Sequence, residues 1–264
     1  MTPSPLNAWK RFKDLLWALY RRHTWNYLVI HRHKLTRNHP SLVIPLLCGP
    51  AKKKLTCPPE LNIVLVNNYQ HLSLMELSLR YVGIENYTVL KVNGPWRQSY
   101  KLKAIFDYLA NNSKKTEYLL YCDSNDAVLR DNPQKAIQYL NEENCDLLFS
   151  RTKFKGGYEC LPQIKAWADQ IARGKGSPGW YLNSGVYIGR TNFLRQILEI
   201  ALNYITEQDL PREEYRQLRL SGKLCERLPE FPRGCGSDQA IFRFLHPQFY
   251  PRIKVDYSGR LALR

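Results

Sequence analysis

The sequence predicts one α/β domain with a mostly parallel central sheet flanked by helices, similar in outline to Rossmann-type folds. Apolar runs of strand length alternate with segments of helical spacing between residues 61 and 150, a rhythm typical of parallel sheets covered by helices. A chain of 264 residues can form one substantial domain plus an appendage. Its 44% hydrophobic and 12% aromatic content excludes general disorder.

The individual elements follow from the spacing of apolar residues. Strands are predicted at 61–68, 87–93, 117–123, 145–150 and 179–189, and helices at 71–84, 100–112 and 132–143. After residue 150 the alternation weakens, and Gly- and Pro-rich segments surround one clear strand.

The N-terminal region is strongly basic. Residues 1–60 hold eleven Lys and Arg against Asp14 and Glu60, which places +9 of the net charge of +16 there. Residues 8–20 have the spacing of a basic amphipathic helix rich in aromatic side chains. This helix either docks on its own domain or, through residues 8–37, contacts an anionic membrane surface. Nucleic acid is a less favoured partner, because the basic excess is not interleaved with strand aromatics.

Residues 39–60 contain five prolines and a lysine triplet and are interpreted as a connector. The predicted organisation is therefore a basic arm and connector over 1–60 and the main domain over 61–264. The seven cysteines are scattered and form no C-x-x-C pair, which favours a reducing, cytoplasmic setting. We expect no cleavable signal peptide and no transmembrane span, because the early apolar runs are short.

The stretch "YLLYCDSNDAVL" places two carboxylates, Asp123 and Asp126, at the end of a predicted buried strand. Ligands of open parallel sheets bind at the carboxyl ends of the strands. Carboxylates are the hard oxygen donors that hold Mg²⁺ or Mn²⁺ while the metal also binds a diphosphate. The alternative is that both residues merely cap the turn before the next helix.

Two further segments carry polar residues in unusual places. "YLNSGVYIG" sets Asn183, Ser184 and Gly185 in an otherwise apolar strand, which suggests a close approach of the backbone to another group. "GCGSDQAIFRFL" sets Asp238 and Gln239 directly before a helical pattern. Asp238 could also be simply the N-cap of that helix.

Taken in order, D-S-x-D after a strand, L-N-S-G-x-x-I-G and D-Q before an aromatic helix resemble the glycosyltransferase domain of the procollagen lysyl hydroxylase family. "NGPWRQSYKLKAIFDYL" is similar to a further segment of that family, and the likeness runs from about residue 61 to residue 257. The resemblance implies a single A-type, nucleotide-sugar-dependent glycosyltransferase domain. Residues 61–150 would bind the nucleotide sugar, and 151–264 would form the acceptor half.

The resemblance also implies roles for individual residues. Asp123 and Asp126 would ligate a divalent metal, Mn²⁺ or Mg²⁺, bound to the diphosphate of a UDP-sugar. Lys101 would lie near the sugar nucleotide, although a lone lysine on a basic protein is often solvated. Val66 and Asn67 would flank the uracil and ribose.

The remaining implied roles concern the sugar and the acceptor. Asn183, Ser184 and Gly185 would shape the floor of the pocket, with Asn183 close to the reaction and Gln239 among the donor-binding residues. Asp238 would orient a hydroxyl, act as base, or stabilise charge at the anomeric carbon.

The sequence departs from the family at two places. Ser237 stands where the family has an acidic residue, which removes the second of two adjacent carboxylates. The family's third metal ligand, a histidine in a more C-terminal segment, finds no match up to Arg264. His246 is one substitute, but its position favours a helix-end residue.

The expected function is metal-dependent transfer of a hexose from a UDP-sugar to a hydroxyl acceptor on a glycan, protein or lipid. The alternative is a catalytically impaired relative that acts as a basic module for membranes or nucleic acid. A phosphatase of the haloacid-dehalogenase type is disfavoured, because its carboxylates stand two apart rather than three.

Overall fold

The computed structural model describes residues 40–48, 54–94, 96–111 and 116–262. Contacts divide the chain into two compact units, Met1–Lys52 and Lys53–Arg264. The predicted helix at 8–20, and with it the membrane contact through 8–37, lies outside the described residues.

In the first unit, helix α1 spans Pro40–Cys48. A helix therefore occupies part of the stretch that was predicted to be a connector. Pro40 stands at the first helical position, where a missing N–H costs nothing, and Pro45 lies inside the helix. Between the prolines the residues are mostly Leu, Val and Ile, which a helix can accommodate.

The second unit contains six strands and eight α-helices among its described residues. The strands are β1 Leu61–Asn67, β2 Thr88–Lys91, β3 Tyr118–Cys122, β4 Leu147–Thr152, β5 Tyr181–Arg190 and β6 Ile253–Val255. The helices are α2 Leu74–Tyr81, α3 Tyr100–Asn111, α4 Gln134–Glu142, α5 Pro162–Gly174, α6 Thr191–Leu202, α7 Arg212–Leu220, α8 Leu224–Arg227 and α9 Asp238–Leu245, followed by a 3₁₀ helix His246–Phe249. The part after residue 150 is thus more helical than its weak alternation predicts.

The strands form one sheet in the order β2–β1–β3–β5–β4–β6. β1 runs parallel to β2 and β3, and β4 runs parallel to β6, whereas β5 is antiparallel to both of its neighbours. The predicted mostly parallel sheet is confirmed, with one reversed strand in its middle. The carboxyl ends of β1, β3 and β4 and the amino half of β5 consequently share one edge.

Helices cover both faces of this sheet. Side chains alternate along β1, so that Val64 and Val66 pack in one core with Leu102 of α3, whereas Ile63 and Leu65 pack in another. The first core also contains residues of α6 and α9, and the second contains residues of α2 and α4. The predicted flanking by helices is confirmed.

A disulfide joins Cys160 and Cys225, whose Cα atoms are 5.3 Å apart. It links the segment after β4 to helix α8, 65 residues further along the chain. This pairing disagrees with the expected reducing setting, because protein disulfides persist mainly in oxidising compartments. Separately, none of the helices formed by described residues is long and apolar enough to cross a bilayer.

Candidate active site at the carboxyl edge of the sheet

A buried lysine joins two carboxylates that are far apart in the sequence. Lys101 Nζ lies 3.1 Å from Asp123 Oδ1 and 2.8 Å from Asp238 Oδ2. Its side chain is only 7% exposed, so the alternative of a solvated surface lysine is wrong. Lys101 comes from the first turn of α3, Asp123 follows β3, and Asp238 begins α9.

The charges around this lysine shift the pKa values of Lys101 and Asp238. Burial alone would lower the pKa of Lys101, but the charges of Asp123 and Asp238 outweigh it and raise that pKa. Burial raises the pKa of Asp238, and the nearby charge of Asp123 acts in the same direction, against the opposing effects of Lys101 and Ser184. One cation between two carboxylates leaves an excess negative charge, and such perturbed groups are typical of functional sites.

The position of Asp123 is fixed by neighbouring strands. The hydroxyl of Tyr121 donates to Asp123 Oδ1 at 2.8 Å, and the backbone N–H of Asp123 donates to the carbonyl of Gly185 at 2.7 Å. The ring of Tyr121 stacks on Tyr187, with centroids 4.9 Å apart. The sequence analysis missed Tyr121, because a tyrosine within an apolar strand is interpreted as a core residue.

The polar interruption of β5 coincides with a break in its pairing. Phe149 of β4 pairs with Tyr187, but the next residue, Ser150, pairs with Asn183, so residues 184–186 have no partner on β4. This is an enlarged bulge, a device that re-aims side chains. Ser184 consequently forms a side-chain hydrogen bond with Asp238.

Asn183 anchors the bulge with both ends of its amide. Its Oδ1 accepts from Ser150 Oγ at 3.1 Å and from the N–H of Gly185 at 3.0 Å. Its Nδ2 donates to Gln239 Oε1 at 3.1 Å, which ties β5 to the first turn of α9. The expected close approach of the backbone at Asn183, Ser184 and Gly185 is therefore present, and the group approached is the protein itself.

Neither capping alternative describes the acidic residues. The N-cap of α9 is Ser237, whose side chain accepts from the N–H of Ala240, and Asp238 is the first helical residue. Helix α4, the next after β3, begins at Gln134 with Pro133 before it. Asp123 and Asp126 therefore do not cap that helix.

Asp126 lies exposed in the turn that follows β3. It is close to Tyr69: burial raises the pKa of Tyr69, and the charges of Asp123 and Asp126 raise it further. No group of three or more His, Cys, Asp and Glu with the proximity of a metal site occurs in the described part of the chain. His246 does not supply a third ligand, since it is buried edge-on against Trp167, with centroids 4.8 Å apart.

Asp123 and Asp126 suit a metal ion only if a bound diphosphate supplies further oxygen ligands. Lys101 and Tyr121 both contact Oδ1 of Asp123, so a cation would be held through Oδ2 together with Asp126. Two carboxylates plus phosphate oxygens and water are a set typical of Mg²⁺ in phosphate-binding proteins. Two carboxylates are too few for a metal site by themselves, so a metal there would depend on a diphosphate for its remaining oxygen ligands.

The end of β1 is tied to the turn after β3. Asn67 is buried; its Nδ2 donates to Ser124 Oγ at 3.3 Å, and its Oδ1 accepts from Lys91 Nζ at 2.8 Å. Ser124 Oγ in turn donates to the carbonyl of Val66 at 3.0 Å. Val66 and Asn67 thus build the sheet edge, and Lys91 also lines a groove of about 880 Å³ between β2 and α3.

No family model and no curated protein matches this sequence. The resemblance to the glycosyltransferase domain of the procollagen lysyl hydroxylase family therefore rests on sequence motifs alone, chiefly those around Asp123, Asn183 and Asp238.

Proposed function

We propose that the protein is a glycosyltransferase that moves a hexose from a UDP-sugar to a hydroxyl acceptor. The observation that carries this proposal is the meeting of three separate segments around Lys101. Asp123 comes from the D-S-x-D turn, Asp238 from the D-Q helix start, and Ser184 from the bulged strand. Their common location at the carboxyl edge of a mainly parallel sheet is where such folds bind ligands.

In this proposal Asp238 serves the reacting sugar. Its raised pKa makes the carboxylate a stronger base than an exposed aspartate, so it accepts a proton from, or orients, an acceptor hydroxyl. Lys101 and Ser184 both form hydrogen bonds with the carboxylate of Asp238, which keeps it oriented. Asn183 and Gln239 keep the bulge and α9 in fixed relation, which positions Asp238 against the substrate.

Asp123 and Asp126 would hold a Mn²⁺ or Mg²⁺ ion, whose chemistry here is to neutralise the charge that develops on the departing diphosphate. Lys101 compensates the charge on Oδ1 of Asp123, so that the carboxylate remains in place when no ligand is bound. The 880 Å³ groove beside Lys91 is large enough for a nucleoside, and Lys91 connects it to Asn67 by a hydrogen bond.

Calorimetric titration of UDP tests the proposal. We expect binding with Mn²⁺ present and none with EDTA, and we expect Asp126→Ala to weaken binding about tenfold or more. Asp131→Ala is the matched control, because Asp131 is also an exposed aspartate in the segment between β3 and α4, and it forms an ion pair with Lys135 at 2.5 Å. Absence of UDP binding in both conditions refutes the proposal and favours the impaired, basic binding module.

A further inference from the structure

A basic, aromatic loop leaves the sheet at the same edge as the candidate site. Lys153, Phe154 and Lys155 directly follow β4, and all three are exposed. Phe154 is 50% exposed, which is unusual for phenylalanine; among the described residues only Leu220 and Tyr250 are comparable large exposed hydrophobics. The carboxyl ends of β3 and β4 lie on either side of the amino half of β5, so the loop emerges at the edge that carries Asp123. A Cβ placed on Gly157 would lie 3.3 Å from Ala240, so the loop also packs against α9, the helix that begins with Asp238.

A fully buried arginine holds this loop from beneath. The guanidinium of Arg243 donates to the carbonyls of Phe154 at 2.8 Å and Leu182 at 3.0 Å, and also to that of Gly156. It lies 4.5 Å from the ring centroid of Tyr158. Burying a guanidinium is costly unless its donors are satisfied. Here the loop carbonyls satisfy them, so Arg243 fixes the backbone of the loop whose Phe154 ring is exposed.

Arg243 also connects this loop to the candidate site. It lies in α9, the short helix that begins with Asp238. The same helix therefore carries the proposed reacting carboxylate, Asp238, at its start and the arginine that binds the loop, Arg243, about one and a half turns later. The position of Phe154 is in this way fixed relative to Asp238.

Cations lie over the rings of the exposed Phe154 and the half-buried Trp180. The guanidinium of Arg219 lies 4.7 Å from the ring centroid of Phe154, and Lys153 Nζ lies 5.1 Å from that of Trp180. The nearby acid, Glu159, is also exposed, and one of its carboxylate oxygens accepts from the N–H of Gly157 at 2.6 Å. The disulfide Cys160–Cys225 secures the loop to the segment that carries Arg219.

We propose that this surface, made of Lys153, Phe154, Lys155, Trp180 and Arg219 and called here the basic aromatic surface, binds an acidic saccharide. Its assignment as the acceptor of the transferred hexose rests on the proposed function. Aromatic faces pack against the apolar face of a sugar ring, while Lys and Arg pair with its carboxylate or sulfate groups. A saccharide also supplies the hydroxyls that a site at Asp238 would use.

The test measures binding of a sulfated octasaccharide and of a neutral octasaccharide to the full chain by calorimetry, at about 0.15 M salt. We expect the sulfated probe to bind preferentially, Phe154→Ala to weaken its binding about tenfold, and the double variant Lys153→Gln/Lys155→Gln to weaken it at least about fivefold. The matched control is Lys54→Gln/Lys135→Gln, which removes the same charge from two exposed lysines, one beside Gly83 and one on α4.

Equal weakening by the two double variants overturns the proposal, since general charge would then explain binding. An unchanged affinity in Phe154→Ala, or equal binding of both probes, also overturns it. A further outcome also overturns it: the loop variants keep their affinity for the saccharide but lose binding to phosphatidylserine vesicles. UDP titration of the same variants separates this proposal from the proposed function. If the loop variants bind UDP normally but no longer bind the saccharide, saccharide binding at the basic aromatic surface is supported and the donor site is unchanged.

Discussion

Replacing His246 by phenylalanine should make the protein less sensitive to mild acid. His246 is 2% exposed, its Nε2 atom is buried without a hydrogen-bond partner, and its ring lies edge-on to Trp167. Burial lowers its pKa to about 3, against an opposing hydrogen bond with the backbone of Ile253. The folded protein therefore keeps this imidazole neutral at pH values where the unfolded chain protonates it.

The sign and size of the effect follow from linkage. Because the unfolded state binds the proton more readily, the stability contribution is complete above the unfolded pKa of 6.5 and is lost as the pH falls towards 3. At about pH 5, which is roughly 1.5 units below the unfolded value, the loss amounts to about 2 kcal/mol.

Urea unfolding followed by tryptophan fluorescence at about pH 7.5 and pH 5 measures the difference. We expect the phenylalanine variant to lose about 2 kcal/mol less than the wild type between these pH values. At both pH values the variant should also be less stable by about 1 kcal/mol, because it lacks the hydrogen bond to the backbone of Ile253. The control is His71→Asn, at an exposed histidine stacked on Tyr69. If wild type and His246→Phe lose the same stability, the reasoning is refuted.

Three further predictions concern long-range contacts. Lys101→Met leaves the buried carboxylate of Asp238 and the partly exposed carboxylate of Asp123 without their cation, and it should lower the free energy of unfolding by about 3–5 kcal/mol in urea melts. Adding Asp238→Asn should recover most of this loss, and no recovery would contradict the proposed pairing. Arg243→Met strips a donor group from the carbonyls of Phe154, Gly156 and Leu182, so we expect a loss of about 3 kcal/mol and faster amide exchange at 153–157; unchanged exchange there would show that Arg243 does not hold the loop. Replacing both Cys160 and Cys225 by serine opens a 65-residue loop and should cost about 4 kcal/mol; dithiothreitol should destabilise the wild type alike and leave this variant unaffected.

Much of the framework was predictable because it is encoded locally. The alternation of short apolar runs with helical spacing located β1 to β5 and helices α2 to α4 within a few residues, since side-chain period reports secondary structure directly. The placement of Asp123 after a buried strand indicated the carboxyl edge. The polar interruption at Asn183 indicated a local irregularity, and a bulge is present there.

Some features were missed because local patterns mislead. Arg243 stands among Phe and Ile in α9, where the pattern predicts an apolar face, and only three backbone carbonyls converging from two other segments explain its burial. The prolines around residues 40–48 obscured a helix. The pairing of Cys160 with Cys225 has no signature in their spacing.

By itself the sequence determined the elements, the mainly parallel sheet and the edge at which Asp123 lies, because these follow from short-range periodicity. Only the tertiary structure decided that β5 runs backwards between β3 and β4 and that Lys101 bridges Asp123 and Asp238. Strand order and direction are set by which packing buries the most apolar surface with every backbone group paired. That choice is made by the whole chain at once, so no local stretch of sequence records it.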